Sequence, residues 1–121
     1  MAWELDDERP IYLQLAEQIC LRIISGRYAP GERLPSVREL AAEAAVNPNT
    51  MQRALGELES CGLLITLRTV GRTVTEDRKT INAERRKIAD RYAADFTSKM
   101  KELGLSHDEI RNYLEEALNN D

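Results

Sequence analysis

The chain has 121 residues, 42% of them hydrophobic, and carries a formal net charge of −4 with a pI near 5.1. That length leaves room for one domain and an appendage and excludes a large catalytic or ligand-binding domain, while the acidic balance excludes indiscriminate attraction to polyanions. With no run of about 18 apolar residues and no secretory leader pattern, the expectation is a cytoplasmic protein with no membrane partner.

At the start of the chain Trp3 and Leu5 alternate with Glu4 and Asp6, which fits either a short strand or a loosely packed arm over residues 1–9. From Pro10 the period changes. Ile11, Leu15, Ile19 and Ile23 fall every four residues, with Tyr12, Ala16, Cys20 and Ile24 beside them, a wide apolar stripe that predicts a core helix ending near Ser25 and Gly26. The following run to Ser36 holds two glycines and two prolines, so it reads as a structured connection pinned by Tyr28 and Leu34.

Ser36 and Glu39 have the spacing of a capping box, so a helix opens at Val37 and buries Val37, Leu40, Ala41 and Ala44. Asn47 followed by Pro48 suits an N-cap and a first helical position, which starts a second helix after a tight turn. Met51, Leu55 and Leu58 form its apolar stripe, and Asn49, Gln52, Arg53 and Gly56 share the opposite face. This is a helix-turn-helix candidate whose second helix offers amides and a guanidinium of the kind that pair with adenine or guanine edges in a major groove. Taken alone, the same face also reads as an ordinary solvated surface.

Gly62 is placed to end that helix, Leu63–Arg68 has the content of a strand, and Gly71 permits a turn into a second strand over Thr73–Thr75. The hairpin is tipped by Arg68, Thr69, Gly71 and Arg72, and no Asp or Glu occurs from Ser60 to Thr75 or from Ala44 to Gly56. A plain surface hairpin would satisfy the same residues. Three helices followed by a hairpin with a basic tip, however, is the order of a winged helix.

The last third opens with a charge-rich segment, Glu76 to Lys87, and settles into a long helix with Ile81, Ile88, Tyr92, Phe96, Met100 and Leu103 on one stripe. Gly104 and Leu105 suit a helix stop. Ser106 and Glu109 repeat the capping box, so another helix starts near His107 and carries Ile110, Leu114, Ala117 and Leu118. The expected fold is therefore mainly α with a small β-hairpin: a winged helix-turn-helix domain over residues 1–76 and a C-terminal two-helix hairpin over 77–121. Two helices this short leave apolar faces that need a partner: the winged domain, a second copy, or both. A homodimer through Ile81, Ile88, Tyr92, Phe96, Met100, Leu103, Ile110 and Leu114 is the economical arrangement.

Cys20 and Cys61 lie in expected helices without a C-x-x-C pattern or a histidine at zinc spacing, which predicts buried free thiols and no metal. The one histidine, His107, sits at a helix start beside Asp108 and Glu109, where it is capping or solvated, and no nucleophile, base and orienting group share a recognisable spacing. Neither an enzyme nor a cofactor is expected.

The run Gly26-x-Tyr-x-Pro-Gly-Glu-Arg-Leu-Pro-Ser-Val-Arg-Glu-Leu-Ala41, then Val46-Asn-Pro-Asn-Thr-Met-Gln-Arg-Ala54 and Leu58-Glu-x-x-Gly-Leu63, resembles the GntR family of bacterial transcription regulators. The short tail with its Leu103-Gly-Leu-Ser106 linker is similar to the YtrA-type subfamily, whose members lack the large effector domain of their relatives. The resemblance implies a homodimer on a two-fold symmetric operator in double-stranded DNA, usually a repressor and often near genes for ABC-class transporters. It also implies that Arg38 touches phosphate, that Asn49, Thr50, Gln52 and Arg53 lie in the major groove, and that Gly71 and Arg72 serve the wing.

With the helix caps Ser36 and Asn47 and the tip residue Arg68, these make up the expected DNA-facing set. This chain has Pro48 and Gln52 where members of other subfamilies carry arginine, and Val70 where they carry a second glycine, which moves discrimination onto Asn49, Gln52 and Arg53 and implies a wing that is stiffer or reaches less deeply. Two other readings stay open on the sequence. One is a winged-helix adaptor that binds protein. The other is a regulator whose tail holds an unnamed small molecule among Tyr92, Phe96, Met100 and Tyr113.

Overall fold

The apolar stripe that begins after Pro10 forms α1, Ile11–Ile24, and buries Leu15, Ala16, Ile19, Cys20, Ile23 and Ile24. The structure, a computed structural model, describes residues 3–121; Met1 and Ala2, the first two residues of the expected arm, lie outside the described residues. The rest of the arm is not a strand. Its backbone is held by two amides one turn apart on α1: Gln18 Nε2 donates to Glu4 O at 2.7 Å and its Oε1 accepts from Glu4 N at 3.0 Å, while Gln14 bonds Asp6 N, Asp6 O and Arg9 O. Side-chain amides take the place of a neighbouring strand, so the Trp3/Leu5 alternation produces no ladder.

Helix α2, Val37–Ala44, opens on the expected capping box, with Glu39 N donating to Ser36 Oγ at 3.1 Å and Ser36 N donating to Glu39 Oε1 at 3.3 Å. It buries Leu40, Ala41 and Ala44, whereas Val37, in the first turn, is only half-buried. The chain then leaves through Ala45 at φ 56°, the one non-glycine residue in the left-handed region among the described residues, and Val46 N closes the turn on Ala41 O at 2.9 Å. Helix α3, Pro48–Ser60, follows with Asn47 as its cap, Asn49 N donating to Asn47 Oδ1 at 2.7 Å. Met51, Ala54, Leu55 and Leu58 face inward, and α3 packs against both α1 and α2.

Arg22 enters this core, with its side chain 1% exposed. A buried guanidinium needs partners. Its Nη1 donates to the Tyr28 hydroxyl at 3.2 Å and lies 3.6 Å from Glu43 Oε1 on α2, while the Trp3 ring covers it at 4.0 Å. Trp3 Nε1 donates to the same Glu43 oxygen at 3.1 Å, so arm, α1 and α2 meet at one charge pair.

The hairpin consists of β1, Leu64–Leu67, antiparallel to β2, Gly71–Val74, in the register Leu64↔Val74 and Leu67↔Gly71. The second strand thus begins at Gly71 rather than at the expected Thr73. Residues 68–70 make the turn, and Gly71 at φ 97° takes a conformation that a side chain would disfavour. The glycine- and proline-rich connection is more ordered than its composition suggests. Leu34 N donates to Arg72 O and Val74 N donates to Glu32 O, both at 2.9 Å, so residues 31–34 line the other edge of β2.

Helix α4, Arg78–Glu102, starts inside the charge-rich segment because Asp77 caps it, accepting from Lys79 N and the Thr80 hydroxyl at 3.0 Å each. The chain divides into two compact units, Met1–Glu84 and Arg85–Asp121. Within the first, Ile81 is buried. Within the second, Gly104 at φ 81° ends α4, and α5, His107–Asn119, opens on the Ser106/Glu109 capping box. The hydrogen bond from Ser106 N, assisted by the Ser106 side chain and opposed by slight desolvation, holds the Glu109 carboxyl below its usual range. Ile110 is buried. Of the two thiols Cys20 is buried as expected and Cys61 is exposed, because it follows the last turn of α3 beyond the Met51/Leu55/Leu58 stripe.

Candidate nucleic-acid interface

Packing of α3 fixes which of its side chains are free. With Met51, Ala54, Leu55 and Leu58 committed to the core, Asn49, Gln52 and Arg53 are exposed along the outer side and Thr50 is half-buried at its margin. Asn47 spends its carbonyl oxygen on the helix cap, which leaves its amide hydrogens outside the cap bond. The Arg53 guanidinium carbon stands 3.8 Å from the centre of the Tyr12 ring, and Ile11, Tyr12, Asn49, Thr50 and Arg53 line an open hollow where the starts of α1 and α3 meet.

A second hollow lies between the start of α2 and the wing, lined by Arg33, Leu34, Pro35, Ser36, Val37, Gly71 and Arg72. Arg38 is exposed on the first turn of α2, and the positive end of that helix favours an anion. Arg33 flanks the wing: a methyl group added at Gly71 would lie 3.8 Å from Arg33 Nε.

Arg72 is not the free cation expected of a wing tip. Its Nε donates to Glu59 Oε1 at 2.6 Å, and the other oxygen of Glu59 accepts from the Thr66 hydroxyl at 2.9 Å. The bond from Arg72 holds the Glu59 carboxyl below its usual range, assisted by Thr66 and the Arg72 charge and opposed by partial burial. Glu59 stands one residue outside the acid-free stretch from Ser60 to Thr75, and the antiparallel register carries Arg72 back over it. The exposed cation of the turn is Arg68.

The expected DNA-facing residues therefore fall into two groups: Asn47, Asn49, Thr50, Gln52 and Arg53 on α3, and Ser36, Arg38, Gly71 and Arg72 at the α2–wing junction, with Arg68 at the turn. Sequence reasoning missed three neighbours. Tyr12 was assigned to the core stripe because it keeps the spacing of Ala16 and Cys20, Arg33 lay in a segment read as a connection, and Glu59 lay on a helix whose meeting with the wing only the fold reveals.

Of the residues expected to pair two copies, Ile81 and Ile110 are buried within the chain and Ile88 and Met100 are half-buried. Tyr92, Phe96, Leu103 and Leu114 are exposed, Tyr92 at 56% and Leu103 at 73%. No helix among the described residues is long and apolar enough to cross a membrane.

Residues 11–74 match the family described as bacterial regulatory proteins, gntR family. The uncharacterized HTH-type transcriptional regulator YhcF of Bacillus subtilis is 38% identical over 107 residues, 88% of each chain. The HTH-type transcriptional repressor YtrA of the same organism is 44% identical over 75 residues, 62% of this chain and 58% of that protein. Among solved structures, a GntR family transcriptional regulator from Listeria monocytogenes superposes with a TM-score of 0.86 at 38% identity, covering 93% of this chain and 98% of that one. The DNA-binding domain of AraR in complex with operator ORE1 gives 0.54 at 31% identity over 62% of this chain and 94% of that one. A family match that runs from the first residue of α1 to the last of β2, with YhcF matched over 88% of each chain and YtrA 44% identical over 75 residues, makes this chain a YtrA-like member of the gntR family of bacterial regulatory proteins.

Proposed function

We propose that this chain is a sequence-specific DNA-binding regulator, a repressor that binds an inverted-repeat operator in the cytoplasm as a homodimer. The observation that carries this reading is the division of α3. Its apolar residues are consumed by packing on α1 and α2, and what remains outward is a row of groups, Asn49, Gln52 and Arg53, suited to base edges. The operator complex of the AraR domain and the repressor activity named for YtrA support the same assignment.

Residues 1–76 then make up the DNA-binding domain. Arg38, Arg33 and Arg68 take phosphates and set the register, and α3 supplies discrimination. Ser36 and Asn47 act by fixing the starts of α2 and α3, and Thr50 reads at the margin. Residues 77–121 hold two copies together. Exposed Tyr92, Phe96, Leu103 and Leu114 form more apolar surface than a solitary helix pair keeps in water, and a second copy covers it. Pairing brings two reader helices to successive major grooves about 34 Å apart.

The test is selection of duplexes from a random-sequence pool by the unaltered protein, followed by titration of the enriched duplex at fixed salt. An enriched inverted repeat is expected, and Arg53→Ala should weaken its binding by about 1–3 kcal/mol without unfolding the protein. A pool that yields no enriched sequence, or unchanged affinity of Arg53→Ala, turns the assignment toward a protein-binding adaptor.

A further inference from the structure

We propose that Tyr12 is a positioning residue for base readout: its ring holds the Arg53 guanidinium ready for a guanine edge, which makes the start of α1 part of the reader. The inference rests on the DNA-binding reading above and adds to it a residue outside the helix-turn-helix.

An arginine on an exposed helix face has several rotatable bonds and no reason to prefer the rotamer that meets a base. Arg53 is restrained without being consumed. Its guanidinium carbon lies 3.8 Å from the centre of the Tyr12 ring, well inside the range of about 6 Å over which a ring attracts a cation. A guanidinium has two faces and a rim of N–H donors, and a ring beneath one face leaves the rim open. Bidentate pairing with guanine O6 and N7 uses that rim, so stacking and base pairing are compatible in the same rotamer.

Arg72 shows the opposite kind of restraint. Its Nε is bonded to Glu59, so a donor is used up before any DNA arrives. Arg53 makes no hydrogen bond or ion pair with the protein among the described residues, not even with the exposed Glu57 one turn further along α3. Tyr12 also has a location that suits the task. It is half-buried at the first turn of α1, so one part of the ring rests on the core and the other borders the open hollow with Asn49 and Thr50.

The test uses the full chain, the duplex enriched by the unaltered protein, and an unrelated duplex of equal length. Tyr12→Leu is expected to weaken the enriched duplex by about two- to fivefold, the worth of an exposed cation–ring contact, and to leave the unrelated duplex and the salt dependence unchanged. Tyr12→Phe keeps the ring and should match the unaltered protein. In an Arg53→Ala background, Tyr12→Leu should have no further effect.

Equal losses in both backgrounds, or a loss on the unrelated duplex, overturn the proposal while leaving sequence-specific binding in place. Absence of any enriched duplex, or indifference to Arg53→Ala, is instead the failure of the DNA-binding reading itself. A DNA-free measurement guards against a variant that does not fold: the Arg53 side-chain methylene protons of the unaltered chain should resonate upfield under the ring current of Tyr12, and ordinary shifts there would overturn the stack.

Discussion

Arg72 Nε lies 2.6 Å from Glu59 Oε1, and this bond ties the second strand of the wing to the last turn of α3. It fixes the angle between wing and reader helix, and it lowers the positive charge that the wing presents. Glu59→Gln keeps the shape and removes the charge, so Arg72 is released toward phosphate. Affinity for an unrelated duplex should rise, and the slope of log affinity against log salt should steepen by about 0.9, the value of one added phosphate contact. Glu57→Gln, an exposed neighbour on the same helix, controls for the mere loss of an acid and should change the slope less. Equal behaviour of the two variants would mean that Arg72 stays where it is.

The same pair makes stability depend on pH in a definite direction. The folded-state pKa of Glu59 is lowered, chiefly by the bond from Arg72, so its contribution is present above the unfolded-state pKa and is lost as pH falls through the folded value. With Glu59 about one-third exposed the contribution is small, on the order of 0.5 kcal/mol. Urea titrations at neutral pH and again below the carboxylate range should show the Glu59→Gln chain less stable than the parent in the first and equal to it in the second. A constant difference at both would assign the loss to packing.

Gly56 sits in the interior of α3, and a methyl group added there meets nothing within 4 Å. Glycine at such a position costs roughly 0.5–1 kcal/mol relative to alanine through the freedom it retains in the unfolded chain. Gly56→Ala should therefore raise the unfolding midpoint without altering the denaturant slope. A fall in stability would show that the outer face of α3 is less open than the structure describes.

Ile88 and Tyr92 lie one turn apart on α4, half-buried and exposed respectively. If they meet a second copy, replacing both by glutamate should shift sedimentation from dimer to monomer and weaken the enriched duplex by more than tenfold, since each half-site is then bound alone. An intact dimer after the double change would move the interface elsewhere on the chain.

Helices α2, α3 and α5 were legible in the residues because two independent signals agree in each. The capping boxes at Ser36 and Ser106 and the Asn47-Pro48 pair mark the starts, and the apolar spacing marks the inward side. Less could be read where structure depends on backbone pairing or on residues far apart in the chain. The edge formed by residues 31–34 against β2 uses main-chain groups that carry no side-chain signature. Arg22 reads as a polar position on α1, and its burial depends on Trp3, Tyr28 and Glu43 arriving from three different segments. The candidate interface divides in the same way: the outer face of α3 follows from periodicity, whereas Tyr12 beneath Arg53 and Glu59 behind Arg72 follow from how elements cross.

Trp3 is the single tryptophan of the chain, and its indole rests on Arg22 while bonding Glu43 of α2. The protein thus contains a built-in optical probe at the junction of arm, α1 and α2. Its emission will register whether that junction is closed, in the free regulator and on an operator alike, with no dye attached.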